Sequence, residues 1–405
     1  MIAPATAVAK AAPGGLSTFY RFGLAKQRLP MKFTISSTKL LKALGSMNRV
    51  IVANPVVPIL DHFLFETKEE LLTVTATDLQ TFVVARLPVQ GAEQGKMAVP
   101  ARILMETLRS LPEQPLTFAF DPQRYSLKLT TAHGHYKVAC ENATDFPQVP
   151  AAPAAAAETV AAATLKRAIA HTLPAASKDE LRPLLAGLHI NLSGEQATFV
   201  ATDGHRLARY SCGAQGSRQQ LTVPGKPLQL LGQLLESGQG ELRYSVDQET
   251  IHFETDQLRL ITRLLNGDYP DYSNVIPQHN PHTLRVGAAP LLKALKRVAI
   301  YSNRTTHEVG FALESEQIKI FAEDRDFSNQ AQEELPCSYQ GPAMQVGFNA
   351  KLLIELLSIL GEQEIVLQLD TPAKAVLLIP QQQQAGEQVL LLIMPVLLKE
   401  ASAQQ

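Results

Sequence analysis

The stretch Val74-Thr-Ala-Thr-Asp78, an apolar strand ending in an acid, recurs as Val200-Ala-Thr-Asp203 and again as Phe321-Ala-Glu-Asp324. The Asp residues lie 125 and 121 positions apart. A second landmark, a strand end running into an apolar helix, keeps nearly the same period. It reads Val99-Pro-Ala-Arg-Ile-Leu-Met-Glu-Thr-Leu108, then Val223-Pro-Gly-Lys-Pro-Leu-Gln-Leu-Leu231, then Val346-Gly-Phe-Asn-Ala-Lys-Leu-Leu-Ile-Glu-Leu-Leu357, at separations of 124 and 123. A third, Asp145-Phe-Pro147, returns 123 residues later as Asp268-Tyr-Pro270, with Met394-Pro395 in the comparable place of the last copy. Solenoid repeats run about 20–50 residues, so a period this long means tandem domains.

Each copy is expected to open with a helix: Thr38 to Gly45, Thr164 to His171 and Pro290 to Ile300. Leu and Ala recur there at i, i+3 and i+4, which is one buried stripe. Thr38 and Thr164 are candidate N-caps, and Pro290 suits a first helical position. Short alternating runs such as Tyr125-Ser-Leu-Lys-Leu-Thr130 read as half-buried antiparallel strands. The fold class is therefore α+β: three tandem similar domains, each with two helices packed on antiparallel sheet. Pro- and Ala-rich joints place them at 31–152, 153–280 and 281–398. Residues 1–30 carry Lys10, Arg21, Lys26 and Arg28 and no acid. An early start codon, a disordered tail and an organelle transit peptide all fit this extension. Residues 399–405 read as a polar, frayed tail.

Lys+Arg number 37 against 38 Asp+Glu, which excludes a globally basic nucleic-acid binder. Cys140, Cys212 and Cys337 are too scattered for a disulfide framework or a zinc site and suit a reducing compartment. No apolar run is long enough to span a membrane. Charge is instead segregated on the opening helices, whose quoted spans hold Lys39, Lys42, Lys166, Arg167, Lys293, Lys296 and Arg297 and no acid. Solvated helices usually mix signs, so a shared positive surface facing phosphates is expected. No aromatics interleave, which points to phosphate contact without base reading.

Enzyme-like strings are few. Gly91-Ala-Glu-Gln-Gly95-Lys96-Met97 is one residue short of a phosphate loop and lacks the Ser or Thr that would meet magnesium. His133-Gly-His135 has no third ligand nearby and fits a turn or strand edge. Asp268 and Asp271 could pair as carboxylates, but the Asp-aromatic-Pro pattern also occurs at Asp145, so a structural turn is expected. Thr202-Asp-Gly-His-Arg-Leu207 suggests acid/base work, yet Asp78 and Asp324 share the landmark of Asp203. The Asp then belongs to the fold, as a strand-to-turn cap, while Gly204, His205 and Arg206 are peculiar to the middle copy and mark a binding site there. No catalytic residue, metal or cofactor is expected.

These strings are similar to those of the bacterial sliding clamp family, the beta subunit of DNA polymerase III. The matching segments are Met31-Lys-Phe-Thr34, Val57-Pro-Ile-Leu60, Thr75-Ala-Thr-Asp-Leu79, Val99-Pro-Ala-Arg102, Asp145-Phe-Pro147, Val200-Ala-Thr-Asp-Gly-His-Arg-Leu207, Tyr269-Pro-Asp-Tyr272 and Met394-Pro395. The resemblance covers Met31 to Leu398. It implies a ring-forming DNA clamp, a head-to-tail homodimer that encircles duplex DNA, slides without reading sequence and performs no catalysis, in the bacterial cytoplasm. It also implies a peptide groove between the second and third domains for replicative polymerase, clamp loader, repair polymerases and mismatch-repair proteins. Residue by residue, that groove would take Leu185, Thr202, Gly204, His205, Arg206, Leu207, Pro270, Val275, Leu392, Met394, Pro395 and Val396. Apolar side chains would form the pocket, Gly204 would admit a close backbone, and His205 and Arg206 would rim it with donors. Arg182 joins the DNA-facing set. Leu397 stands where the family has Arg, and the tail that follows could cover part of the groove. A DNA-processing enzyme centred on Asp203 and His205, and a regulatory clamp that no longer encircles DNA, are the alternative readings.

Overall fold

Each copy begins with a strand, not with the expected helix. The strands Met31–Ser36, Glu158–Ala161 and His282–Gly287 lead directly into α1 (Ser37–Met47), α3 (Ala162–Thr172) and α5 (Ala288–Val298). The second helices are α2 (Ala101–Ser110), α4 (Gly225–Leu234) and α6 (Ala350–Leu360). The structure, a computed structural model, describes residues 31–153, 157–179, 181–214, 218–235, 240–361 and 363–398. The extension at 1–30 and the tail at 399–405 lie outside them.

The expected caps are corrected. The N-cap of α1 is Ser36, whose Oγ accepts from Lys39 N at 3.5 Å, and Thr38 lies inside the helix. Ala161 and Gly287 precede α3 and α5 with no side-chain cap, and Pro290 is the third residue of its helix. The starts are held from outside instead. Ser37 N, Ala162 N and Ala288 N donate to the carbonyls of Gln114, Gly240 and Gln363 at 2.9, 3.0 and 3.0 Å. A tertiary acceptor thus holds the first N–H of the helix in all three copies, and α1 adds a local hydroxyl to it.

The helices pack in pairs, α1 with α2, α3 with α4 and α5 with α6, burying one stripe each against the sheets. On α5 that stripe is Leu291, Ala294, Leu295 and Val298. In the first domain, Phe33 and Phe118 stack at 4.8 Å between ring centroids, inside an aromatic core that the other two domains build mainly from aliphatic side chains, Leu above all.

The acid that ends each landmark strand caps the following turn, as the repeat implied. Asp78 Oδ1 accepts from Gln80 N at 3.0 Å, Asp203 Oδ1 from His205 N at 2.8 Å and Asp324 Oδ1 from Asp326 N at 3.2 Å. Asp271 likewise caps its own turn, accepting from Ser273 N at 3.1 Å.

Sheets cross the domain boundaries. Leu258–Arg263 of the second domain runs antiparallel to Thr81–Pro88 of the first, within an eight-stranded sheet. Glu387–Ile393 of the third runs antiparallel to Arg206–Gly213 of the second, within a nine-stranded sheet. The counterparts of these joining strands at the chain's two ends are His135–Ala139 and Asn329–Pro336. Each is the outer strand of its sheet, one of five strands and one of four.

Candidate functional site

Strand alternation organises the second joint. Leu207 sits opposite Leu392, and Leu392 in turn opposite Leu377, so three leucines from two domains line up on the outer face of one sheet. With Val200 and Ala375 they form a buried apolar floor, over which Tyr269, Tyr272 and Ile276 pack. Leu207 and Leu392, both read from the sequence, are thus brought together. Thr202 is half-buried, its hydroxyl accepting from Gly204 N at 3.1 Å and also held to the carbonyl of Arg206. Gly204 and His205 are exposed on the turn above, and Met394 N donates to His205 O at 2.8 Å. Pro395 and Val396 are half-buried, and Val396 N bonds Gly347 O at 2.9 Å. Leu185 is half-buried in the short helix Pro183–Ala186, which contacts the strand Gln196–Thr202. Pro270 and Val275 are exposed in the linking loop, flanked by the residues that anchor it on the floor.

Arg206 does not rim this surface. Successive side chains on a strand point to opposite faces. With Leu207 on the outer floor, Arg206 turns to the helix side, where its side chain is 2% exposed. There its Nε meets Asp203 Oδ2 at 3.0 Å and its Nη2 meets Glu355 Oε2 of α6 at 2.6 Å. Gly204 carries a second constraint. Within the chain a Cβ there would meet nothing closer than Arg182 Nη1 at 3.6 Å. The backbone is at φ +91°, a conformation that β-branched residues avoid.

The sequence reading passed over Tyr269, Tyr272 and His189. The His189 ring stacks on Tyr269 at 4.7 Å, and burial lowers its pKa. The two tyrosines were visible in the Tyr269-Pro-Asp-Tyr272 string, whereas nothing local marks His189, Ala375 or Glu355.

The basic helices are less bare than their sequences imply. Arg167 Nε is held by Glu387 Oε2 at 3.1 Å, with a second bond to the same carboxylate. Arg297 makes a similar fork with Glu333 at 2.7 and 2.6 Å. Lys166 Nζ donates to Leu235 O at 3.0 Å. Arg182 holds Asp179 at 3.0 Å and the carbonyl of Asp203 at 3.3 Å. Glu387 and Glu333 come from strands distant in sequence, so an acid-free helix need not carry unpaired charge. Lys39, Lys42, Lys293 and Lys296 are exposed. Among the described residues no His, Cys, Asp and Glu cluster could hold a metal ion, and no helix is long and apolar enough to cross a membrane.

Three family models match consecutive parts of the chain. The N-terminal, central and C-terminal domains of the DNA polymerase III beta subunit align with residues 31–150, 159–271 and 273–396. The chain belongs to the DNA polymerase III beta subunit family. The beta sliding clamp of Pseudomonas aeruginosa is 30% identical over 339 residues, 83% of this chain and 92% of that relative. The Escherichia coli K12 clamp is 30% identical over 349 residues, 85% and 95% of the two chains. A crystal structure of the Pseudomonas aeruginosa clamp bound to griselimycin superposes with a TM-score of 0.85 at 28% identity, covering 91% of this chain and all of that one. The three similar domains and their order are therefore those of a beta clamp.

Proposed function

We propose that this chain is a processivity factor for DNA polymerase. In this reading a homodimeric ring encircles duplex DNA, slides on it and performs no catalysis, in the bacterial cytoplasm. The carrying observation is the pair of outer strands at the chain's ends. Two of three equivalent joints are made within the chain, and the third needs a second copy. His135–Ala139 of one copy then pairs with Asn329–Pro336 of the next, and a head-to-tail contact that closes after two chains gives a ring of six domains. Exposed apolar side chains beside these edges support the reading: Tyr136 on one side, and Ile300, Tyr301 and Phe327 on the other, 40, 78, 44 and 66% exposed. Exposed apolar side chains at an open sheet edge are of the kind that partners cover.

The repeat also supplies the register. Ile261 faces Phe82 at the first joint and Leu392 faces Leu207 at the second. Counted from the start of the second helix, as Ile261 is in the second domain, one counterpart is Lys137. The hairpin pairings Thr77–Phe82, Thr202–Leu207 and Glu323–Gln330 make the other Gln330. Boundaries near 152 and 280 divide the three domains. The exposed lysines of α1 and α5 supply phosphate contacts that read no sequence, as sliding requires. Leu185, Thr202, Gly204, His205, Leu207, Pro270, Val275, Leu392, Met394, Pro395 and Val396 form a groove for short peptides of polymerase, clamp loader and repair proteins. An apolar floor with few polar groups at its edge supports that role. The test is retention: the protein, once loaded, should stay on circular duplex DNA and run off the same DNA after linearisation. Equal loss from both would overturn the ring.

A further inference from the structure

The structure assigns Arg206 as a positioning residue that sets the peptide groove from the opposite face of its strand, an inference that rests on the groove reading above. The Arg206 guanidinium contacts both domains. It bonds Asp203 within the second domain, and Glu355 Oε2 at 2.6 Å and Leu352 O at 3.4 Å on α6 of the third. Glu355 is shared, its other oxygen accepting from Lys178 Nζ of the second domain at 2.9 Å. On the other side of the same strand, the turn that Asp203 caps carries Gly204 and His205, one wall of the groove. The His205 carbonyl accepts from Met394 N at 2.8 Å, which begins the opposite wall. Both walls are therefore tied to one four-residue turn, and that turn is pinned to α6 by one buried guanidinium.

The first joint supplies an internal comparison. The counterpart of Arg206 there is Thr81, whose N–H bonds the capping Asp78 in the same way. Among the described residues its hydroxyl meets Thr262 Oγ1 across the boundary, at 3.4 Å. The charged tether at this position thus occurs at the joint that carries the groove. A buried charge that bridges two domains fixes their relative placement more than it adds stability.

The probe is a synthetic peptide with one Gln and two apolar anchors, titrated calorimetrically into the full-length protein. Glu355→Gln keeps the side-chain shape and removes the charge. It should weaken the peptide by about tenfold and lower the melting temperature only by the share that its ion pairs with Arg206 and Lys178 contribute. Arg206→Gln should act in the same direction, and the double variant should be no weaker than the weaker single one, because both belong to one network. Arg206→Lys, able to reach only one of the two carboxylates, should recover part of the affinity. In Glu355→Gln, hydrogen exchange at Met394 N should quicken while the first domain is unchanged, a response that general destabilisation would not give. Should Arg206→Gln fail to fold, Glu355→Gln decides alone. Wild-type affinity in Glu355→Gln, with Met394→Ala impaired, would overturn the positioning role and leave the groove standing. Wild-type affinity in Met394→Ala as well would remove the groove and this inference together.

Discussion

Arg167 on α3 of the second domain grips Glu387 on the last strand of the third, with both carboxylate oxygens engaged. The pair ties the two domains together on the face opposite the groove. The Glu387 carboxylate is pushed up by burial but drawn below the ordinary range overall by Arg167 and Tyr210. A residue that sequence reading assigned to DNA is thus committed to a joint. Arg167→Gln should cost about 1–2 kcal/mol of stability, since it leaves Glu387 without its partner at a half-buried site. Urea denaturation would check this.

DNA contact should fall to the lysines instead. Replacing Lys39, Lys293 and Lys296 by Glu should weaken binding to linear duplex and flatten its salt dependence. Each lost phosphate contact lowers the slope of log affinity against log salt by about 0.9. The melting temperature should stay within a few degrees. An unchanged slope in a salt series would remove these lysines from the DNA-facing surface.

The ring register can be tested covalently. Cysteines placed at Lys137 and Gln330 should be joined by a short bis-maleimide into a closed dimer of twice the chain mass. Neither single variant should cross-link between those positions. Tyr136→Asp together with Ile300→Asp should give monomers at micromolar concentration in sedimentation, because each buries a charge at the apolar contact.

The groove floor should respond to volume. Leu377→Ala and Met394→Ala should each weaken a Gln-containing peptide, by up to about 2–3 kcal/mol for the buried leucine and less for the half-covered methionine. Gly204→Val should weaken it through backbone strain, with Gly204→Asn milder because Asn tolerates positive φ. Calorimetric titration separates the four variants.

Two of the acids that pair across a domain joint, Glu355 and Glu387, predict acid lability. Glu355 is raised by burial, but Lys178 and Arg206 lower its pKa overall, and Glu387 is also lowered. A depressed folded-state pKa contributes stability that is full above the unfolded value, about 4.5, and is lost as pH falls through the folded value. Melting temperature should therefore hold from neutral pH down to about 5 and drop below 4.5. Glu387→Gln should start lower and fall less.

The sequence by itself determined the three-domain α+β plan, because a period near 123 is carried by strands, helices and capping acids that every copy needs. It also determined where the middle copy is distinctive, since Gly204, His205 and Arg206 break the repeat. Part of the groove was legible for the same reason: Leu207 and Leu392 lie in apolar runs whose alternation marks a buried face. Only the tertiary structure decided what those residues do. Whether Arg206 faces a ligand or a helix depends on which side of its strand meets the third domain. Whether Arg167 and Arg297 face DNA or an acid depends on Glu387 and Glu333, which lie 220 and 36 residues away in sequence. Periodicity is a property of neighbours along the chain, whereas charge pairing and helix capping are settled by neighbours in space.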